Sequence, residues 1–350
     1  GLVVAVVGAL FTRNLMSLLG APENILDMAV AYGRIVLIGM PGFFVFLILT
    51  SILRGVGDTM TPLFSLMLSV AVGLVVTPAF ILGWLGLPQL GVAAAAVAFI
   101  AGFVAVLIFL AVYLRARRSP LAPDAGLLRH LAIEPSLLGL ILKLGLPAGV
   151  QMVVASISAI VVVGIVNGFG SDAVAAYGAV NQVLSYVQFP AMSISIASSI
   201  LAAQAIGARQ MHEVQHITRT GLAMNVVVTG GLVLLAYLFS ENLVALFITD
   251  PAVIEVTETL LHIVLWAVVL FGWGSVFSAV MRASGDVIVP MLLSLSAIVL
   301  VEVPAALVLS RLIGLNGIWI GYTLSFATML VLQAAYYRLS WRKKEIRALV

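Results

Sequence analysis

Stretches near residues 32–53, 63–84, 92–114, 137–166, 173–205, 216–239, 257–281, 288–310 and 315–339 each run apolar for the length a helix needs to cross a bilayer, and an apolar half-length lies at 1–11. A helix covers the roughly 30 Å of hydrocarbon in about 20 residues. Inside hydrocarbon every backbone N–H and C=O must be paired within the chain, which leaves only helices and closed barrels. Runs this long and unbroken are not the ~10-residue alternating strands of an outer-membrane barrel. Composition agrees, with 63% hydrophobic and 9% charged residues and a mean hydropathy of +1.23, where soluble domains carry about 25% charged residues. The sequence predicts an all-α polytopic membrane protein.

A second constraint is an internal repeat. Leu10 to Pro62 recurs without a gap as Leu238 to Pro290, at a constant offset of 228, with 13 of the 53 aligned positions identical. Arg54/Arg282, Gly57/Gly285, Asp58/Asp286 and Pro62/Pro290 are among the identities, and an apolar composition does not repeat such residues by accident. The chain reads as two copies of one unit. Lys143-Leu144-Gly145-Leu146-Pro147 heads the first helix of the second copy, and subtracting the offset puts the matching point of the first copy roughly 80 residues before Gly1, in a chain that opens without Met. The expectation is therefore six helices per copy and twelve in a complete protein, about nine and a half of them here. The domain reading is an N-terminal lobe at 1–114 lacking its first two helices, a linker at 115–136, and a C-terminal lobe at 137–350 with a tail. The linker is charged, holds three prolines and is read with a short surface helix over 125–133.

Charge sets orientation. The turns at 54–62, 115–143, 206–219 and 282–290 and the tail from Arg338 hold 14 of the 17 Lys and Arg residues, leaving Arg13, Arg34 and Arg311 for the opposite side. Cytoplasmic loops carry the basic excess, so that side and the C-terminus are read as cytoplasmic, in a bacterial inner membrane. Six helices per copy is an even number, which makes the two repeats parallel. The pI of 9.3 comes from these loops and calls for no nucleic acid. Arg115, Arg117 and Arg118 at a helix end suit anionic membrane lipid instead.

Several segments, taken in order, resemble a known family. They are Tyr32-Gly33-Arg34-Ile35, the RGVGDTMTP turn at 54–62, GWLG and LGVAAAAVA within 83–98, KLGLPAGVQ at 143–151, and Gln204 followed by Gly207-Ala208. Together they are similar to the multidrug and toxic compound extrusion (MATE) transporters, from the family's third helix to its twelfth. The resemblance implies a monomeric cation-driven antiporter, using H+ or Na+ and no cofactor, that expels amphipathic, often cationic, small organic compounds by alternating access between lobes. It also implies where ion ligands would sit. The family's N-lobe sodium oxygens fall on Gly73, Thr77 and Phe99, two of which have no oxygen to offer, and this tilts the choice toward the proton. The C-lobe acids of some members fall on Ala155 and Phe271. A lipid-linked oligosaccharide flippase of the same superfamily is the alternative, although only Arg34 offers the cationic cavity it needs, and a non-transporting membrane scaffold is the second.

The residues themselves supply the site candidates. Glu302 is the single acid placed midway along an apolar run, beside Pro304, whose mate in the first copy is Pro78. Intramembrane carboxylates are costly and functional by default, so Glu302 either carries the coupling ion or hydrogen-bonds a neighbouring helix. Tyr177, Asn181, Ser185, Gln188, Met192, Ser195 and Ser199 recur every three or four residues and form one helix face. That face, with Gln151 and Ser158 seven apart and Phe271, either lines a solute cavity or packs against other helices. Arg54, Asp58, Arg282 and Asp286 are expected in tight turns, where Asp caps the following helix. Arg34 and His262 are repeat mates near the outer helix ends, suited to snorkelling. His212 and His216 lack a third metal ligand, no Ser/His/Asp arrangement is apparent, and neither a metal site nor an enzyme is expected.

Overall fold

The computed structural model describes residues 1–18, 23–119, 122 and 134–344, and these are helical, with no strand among the described residues. The chain divides into two compact units, residues 1–133 and 134–350. The first contains α1 (Leu2–Leu18), α2 (Glu23–Gly55), α3 (Met60–Leu82) and α4 (Ala93–Ala116). The second contains α5 (Pro135–Asn167), α6 (Ser171–Gly207), α7 (Met211–Leu238), the short α8 (Ser240–Ala245), α9 (Pro251–Leu265), α10 (Ala267–Ala283), α11 (Ile288–Ser296), a π-helical stretch (Ala297–Glu302), α12 (Val303–Ile313) and α13 (Leu315–Leu339).

Among the described residues nine helical stretches are long and apolar enough to cross a membrane, counting α9–α10 and α11–α12 as one each. The run expected at 315–339 coincides with α13. Others differ at their ends: the helix expected over 1–11 continues to Leu18, and the run at 257–281 begins earlier, at Pro251, and is interrupted at Trp266. Polar side chains at the ends extend helices beyond their apolar stretch, because a turn outside hydrocarbon can still close its hydrogen bonds. The surface helix expected over 125–133 lies outside the described residues.

Each unit has its own interior. In the first, Phe46, Leu53, Phe103, Val106 and Leu110 are buried, and Phe99 meets Phe103 edge-on at 4.5 Å between ring centres. In the second, one cluster gathers Val162, Val180, Leu260, Leu265 and Trp319, and another gathers Phe277, Met281, Tyr337 and Trp341. Meanwhile Ile160, Val227 and Leu300 stand more than two-thirds exposed, an arrangement suited to lipid and not to water.

The repeated turns share one closure. Gly57 and Gly285 adopt φ of 92° and 84°, the left-handed region that glycine enters without penalty. Their N–H groups return to the carbonyls of Arg54 at 3.0 Å and Arg282 at 2.9 Å, ending each helix. Beyond the turn the copies part. Asp58 accepts from the Thr61 N–H at 3.0 Å and the Thr61 hydroxyl at 2.6 Å, capping α3. The position of Thr61 is Val289 in the second copy. Asp286 does not cap α11 as expected; it accepts from the Tyr336 hydroxyl at 2.7 Å and Lys344 Nζ at 2.9 Å, pinning the end of the described chain to the turn.

Candidate functional site

Proline at 304 cannot donate a backbone hydrogen bond to the preceding turn, and the chain just before it widens into the π-helical stretch that ends at Glu302. Such single-turn widenings expose backbone carbonyls and re-aim side chains. Here α13 comes close enough to use them: a Cβ on Gly321 would stand 3.0 Å from the Ala306 nitrogen and 3.3 Å from the Glu302 carbonyl oxygen. One turn further along α13, the Ser325 hydroxyl lies 3.1 Å from Glu302 Oε2 and 3.2 Å from the Ala297 carbonyl. From α5, the Ser158 hydroxyl donates to Glu302 Oε1 at 2.7 Å. Glu302 is 6% exposed, and among the described residues its side-chain partners are these two hydroxyls, with no cation paired to it. A carboxylate held by hydrogen bonds but not by a counterion can exchange its charge partner.

Glu302 opens on a cavity of about 300 Å3 whose wall includes Gln151, Asn181, Gln188, Phe271, Trp319 and Tyr322. Ala155, one of the two positions where the resemblance places an acid, lies in the same wall as the other, Phe271. The aromatic side is built by α13, where Trp319, Tyr322 and Phe326 follow at three and four residues, and Phe271 of α10 meets Phe326 at 5.2 Å. Tyr322 and Tyr177 bring their hydroxyls to 3.1 Å, which fixes the α6–α13 approach at the cavity's edge. No basic residue belongs to this wall.

A second cavity of about 370 Å3 shares Gln151, Ala155, Phe271, Ser294 and Met329 with the first and continues to Met192, Ser195, Ser275, Ser278 and Arg282. The α6 stripe is thus divided. Asn181 and Gln188 face the first cavity, Met192 and Ser195 the second, and Tyr177 is buried against Trp319. Ser185 and Ser199 border neither of these cavities, and the Ser185 hydroxyl bonds the Asn181 carbonyl at 2.8 Å. Ser158 lies behind the first cavity as a donor to Glu302. The four turn residues separate likewise: Arg54 folds back on the Thr50 carbonyl and Ser51 hydroxyl at 3.2 and 3.3 Å, whereas Arg282 reaches into the second cavity. Arg34 is exposed, while His262 stacks on Tyr237 at 4.8 Å beside Glu258.

Trp319, Tyr322, Ser325 and Phe326 are site residues that polarity alone does not single out. A signal does exist in Gly317, Gly321 and Ser325, small residues four apart on one face of α13. Such a spacing lets helix backbones approach closely in membranes, and a Cβ on Gly317 would fall 2.2 Å from the Leu309 carbonyl carbon.

Comparison with known proteins identifies the lineage of this arrangement. The MatE family model matches residues 1–79 and 147–308. The Bacillus subtilis (strain 168) protein named "Probable multidrug resistance protein YoeA" is 42% identical over 352 residues, covering 100% of this chain and 76% of that one. A second protein of that organism, "Probable multidrug resistance protein YpnP", is 27% identical over 335 residues, 95% of this chain and 72% of its own. Among solved structures, a mutant of the Vibrio cholerae MATE transporter VcmN superposes with a TM-score of 0.88 at 20% identity, covering 98% of this chain and 76% of that one, a likeness of fold. Matched over most of its length by the family model and over all of it by a relative above two-fifths identity, the chain belongs to the MatE family.

Proposed function

We propose that this protein is a secondary active transporter that exports amphipathic or cationic organic compounds, with Glu302 as the group at which coupling ion and solute compete. The observation that carries the reading is a buried carboxyl, bonded among the described residues by the hydroxyls of Ser158 and Ser325, at the wall of a cavity lined with aromatic and amide side chains and no basic ones. Charge in hydrocarbon demands a partner, and this partner can be a proton, a metal cation or the cationic end of a solute. Aromatic faces attract organic cations and their apolar bodies alike. That Glu302 shares its cavity with Ala155 and Phe271 supports an acid moved from those helices to the π-helical stretch, its role kept.

Coupling then follows from exclusion. Two occupants of one carboxyl cannot be bound together, so arrival of the ion expels the solute, provided the ion binds the inward- and outward-facing states with different affinity. The lobes at 1–114 and 137–350, with the linker at 115–136 and the C-terminus in the cytoplasm, are the moving parts in this reading. The proton is favoured over sodium, because sodium is held by several hard oxygens and, among the described residues, two hydroxyls bond the Glu302 carboxyl. The test is exchange in proteoliposomes. Glu302→Gln keeps the shape and removes the charge; it is expected to abolish solute-driven proton or sodium flux while leaving the protein folded. Exchange at the wild-type rate in that variant rejects the role.

A further inference from the structure

We infer that Arg282 is an oxyanion-recognising residue, so that the groove along the second unit takes solutes bearing a carboxylate or phosphate in addition to a cation. The inference rests on the transport reading for the identity of the ligand, while Arg282 lines the second cavity and Glu302 the first. Arg282 lines the second cavity with Ser195, Ser275 and Ser278, and neither an ion pair nor a hydrogen bond ties its guanidinium to another described residue. Guanidinium is charged at every accessible pH and offers a planar fork of donors matched to carboxylate and phosphate.

Comparison with the first copy shows that this freedom is built in. Arg54, the repeat mate, is satisfied locally by the carbonyl of Thr50 and the hydroxyl of Ser51. The corresponding residues are Ser278 and Ala279; the hydroxyl of Ser51 is lost, and Arg282 does not fold back on its own helix. The acid nearest in sequence is also taken. Asp286 is engaged by Tyr336 and by Lys344, and Tyr336, Lys344 and Asp286 close on one another, since Lys344 Nζ also reaches the Tyr336 hydroxyl at 2.6 Å. A fixed cation therefore faces a cavity furnished with hydroxyl donors and no carboxylate. At the other end of the continuous groove stands Glu302, with Gln151 and Ser294 shared between the two cavities. With about 300 and about 370 Å3, the two cavities fall within the range that holds drug-sized molecules.

The experiment compares two forms of one xanthene dye, the ethyl ester, which is a cation, and the free carboxylic acid, which is a zwitterion. Binding of each to the full chain in detergent is followed by fluorescence anisotropy, for wild type, Arg282→Gln and Arg282→Lys. In parallel, retention of phosphatidylglycerol is read by native mass spectrometry. The expected result is a loss of at least about tenfold in affinity for the acid in Arg282→Gln, the worth of one charge-assisted bond, with the ester changed less than about twofold and Arg282→Lys in between. Unchanged dye affinities with phosphatidylglycerol lost from Arg282→Gln and kept by Arg282→Lys would assign the oxyanion to a lipid headgroup. Equal weakening of both dyes, or no change in dye or lipid, overturns the inference. Wild type that binds neither dye counts against the transport reading instead, and the lipid measurement then decides Arg282 alone. If Arg282→Gln does not fold, the Arg282→Lys variant carries the same comparison, its guanidinium fork being absent while its charge remains.

Discussion

Asp58 and Asp286 occupy one place in the repeat and serve different ends, for a reason as small as a hydroxyl. Thr61 gives Asp58 both an N–H and an O–H to accept, and these bonds hold the Asp58 carboxyl below the usual carboxylate range. Val289 has no hydroxyl to offer, and Asp286 turns to Tyr336 and Lys344. Asp58→Ala is therefore expected to cost about 1 kcal/mol, the worth of a helix cap, read from the melting of tryptophan fluorescence in detergent at neutral pH. The pH dependence follows in sign. A carboxyl whose folded value lies below its unfolded value of about 3.9 stabilises fully above that value and ceases to do so as pH falls through the folded one, so the gap between wild type and Asp58→Ala should close in strong acid and stay constant from pH 5 to 8. Asp286→Ala should leave melting nearly unchanged and instead speed tryptic cleavage after Arg342 and Lys343, because what it releases is the pinned end of the described chain.

At the scale of elements, the α11–π–α12 stretch and α13 act as a pair. Against the π-helical turn α13 sets a small-residue face, Gly317 and Gly321, and then a hydroxyl, Ser325, which bonds the Ala297 carbonyl and the Glu302 carboxyl. Gly321→Val forces side-chain atoms into the backbone of Ala306 and Glu302, and overpacking of this kind costs about 1–3 kcal/mol. It should lower the melting point and remove dye binding together. Ser325→Ala should do the reverse, sparing the melting point within roughly 1 kcal/mol while changing the affinity for organic cations several-fold; equal effects on both readouts would show Ser325 to be a packing residue only. These elements also mark how far the sequence could be read. Helix number and nearly every span follow from apolar length, because hydrocarbon thickness sets it. The polar stripe on α6 was legible from its period, and it contributes Asn181 and Gln188 to the first cavity and Met192 and Ser195 to the second. The α13 side was hidden, since Trp319, Tyr322 and Phe326 at helical spacing look like any buried apolar face, and Pro304 signals a break without telling whether the helix bends or widens. The interruption at Trp266 has no proline or glycine to announce it.

At the scale of the whole molecule, the repeat predicts equality and the side chains deny it. The first copy has no acid where Glu302 stands in the second, whether the pairing keeps the offset of 228 (Leu74) or follows Pro78 and Pro304 (Val76), and Arg54 is folded away where Arg282 faces a cavity. Two copies of one frame thus place both fixed charges of the groove in a single unit. If ion and solute exclude each other at Glu302, thermodynamic linkage requires the effect to be mutual: each must weaken the other by the same factor. The affinity for a permanently charged organic cation, which cannot itself titrate, should fall as the pH is lowered in wild type, by about tenfold per unit once the carboxyl is mainly protonated. In Glu302→Gln the same titration should be flat. Measured from the other side, at a pH low enough for the empty carboxyl to be mainly protonated, saturating cation should release up to one proton per wild-type molecule into a weakly buffered solution, and none from the variant. Proton release that persists in Glu302→Gln would move the coupling site to another group, whereas release without any pH dependence of affinity would break the linkage itself and with it the competition on which the mechanism depends.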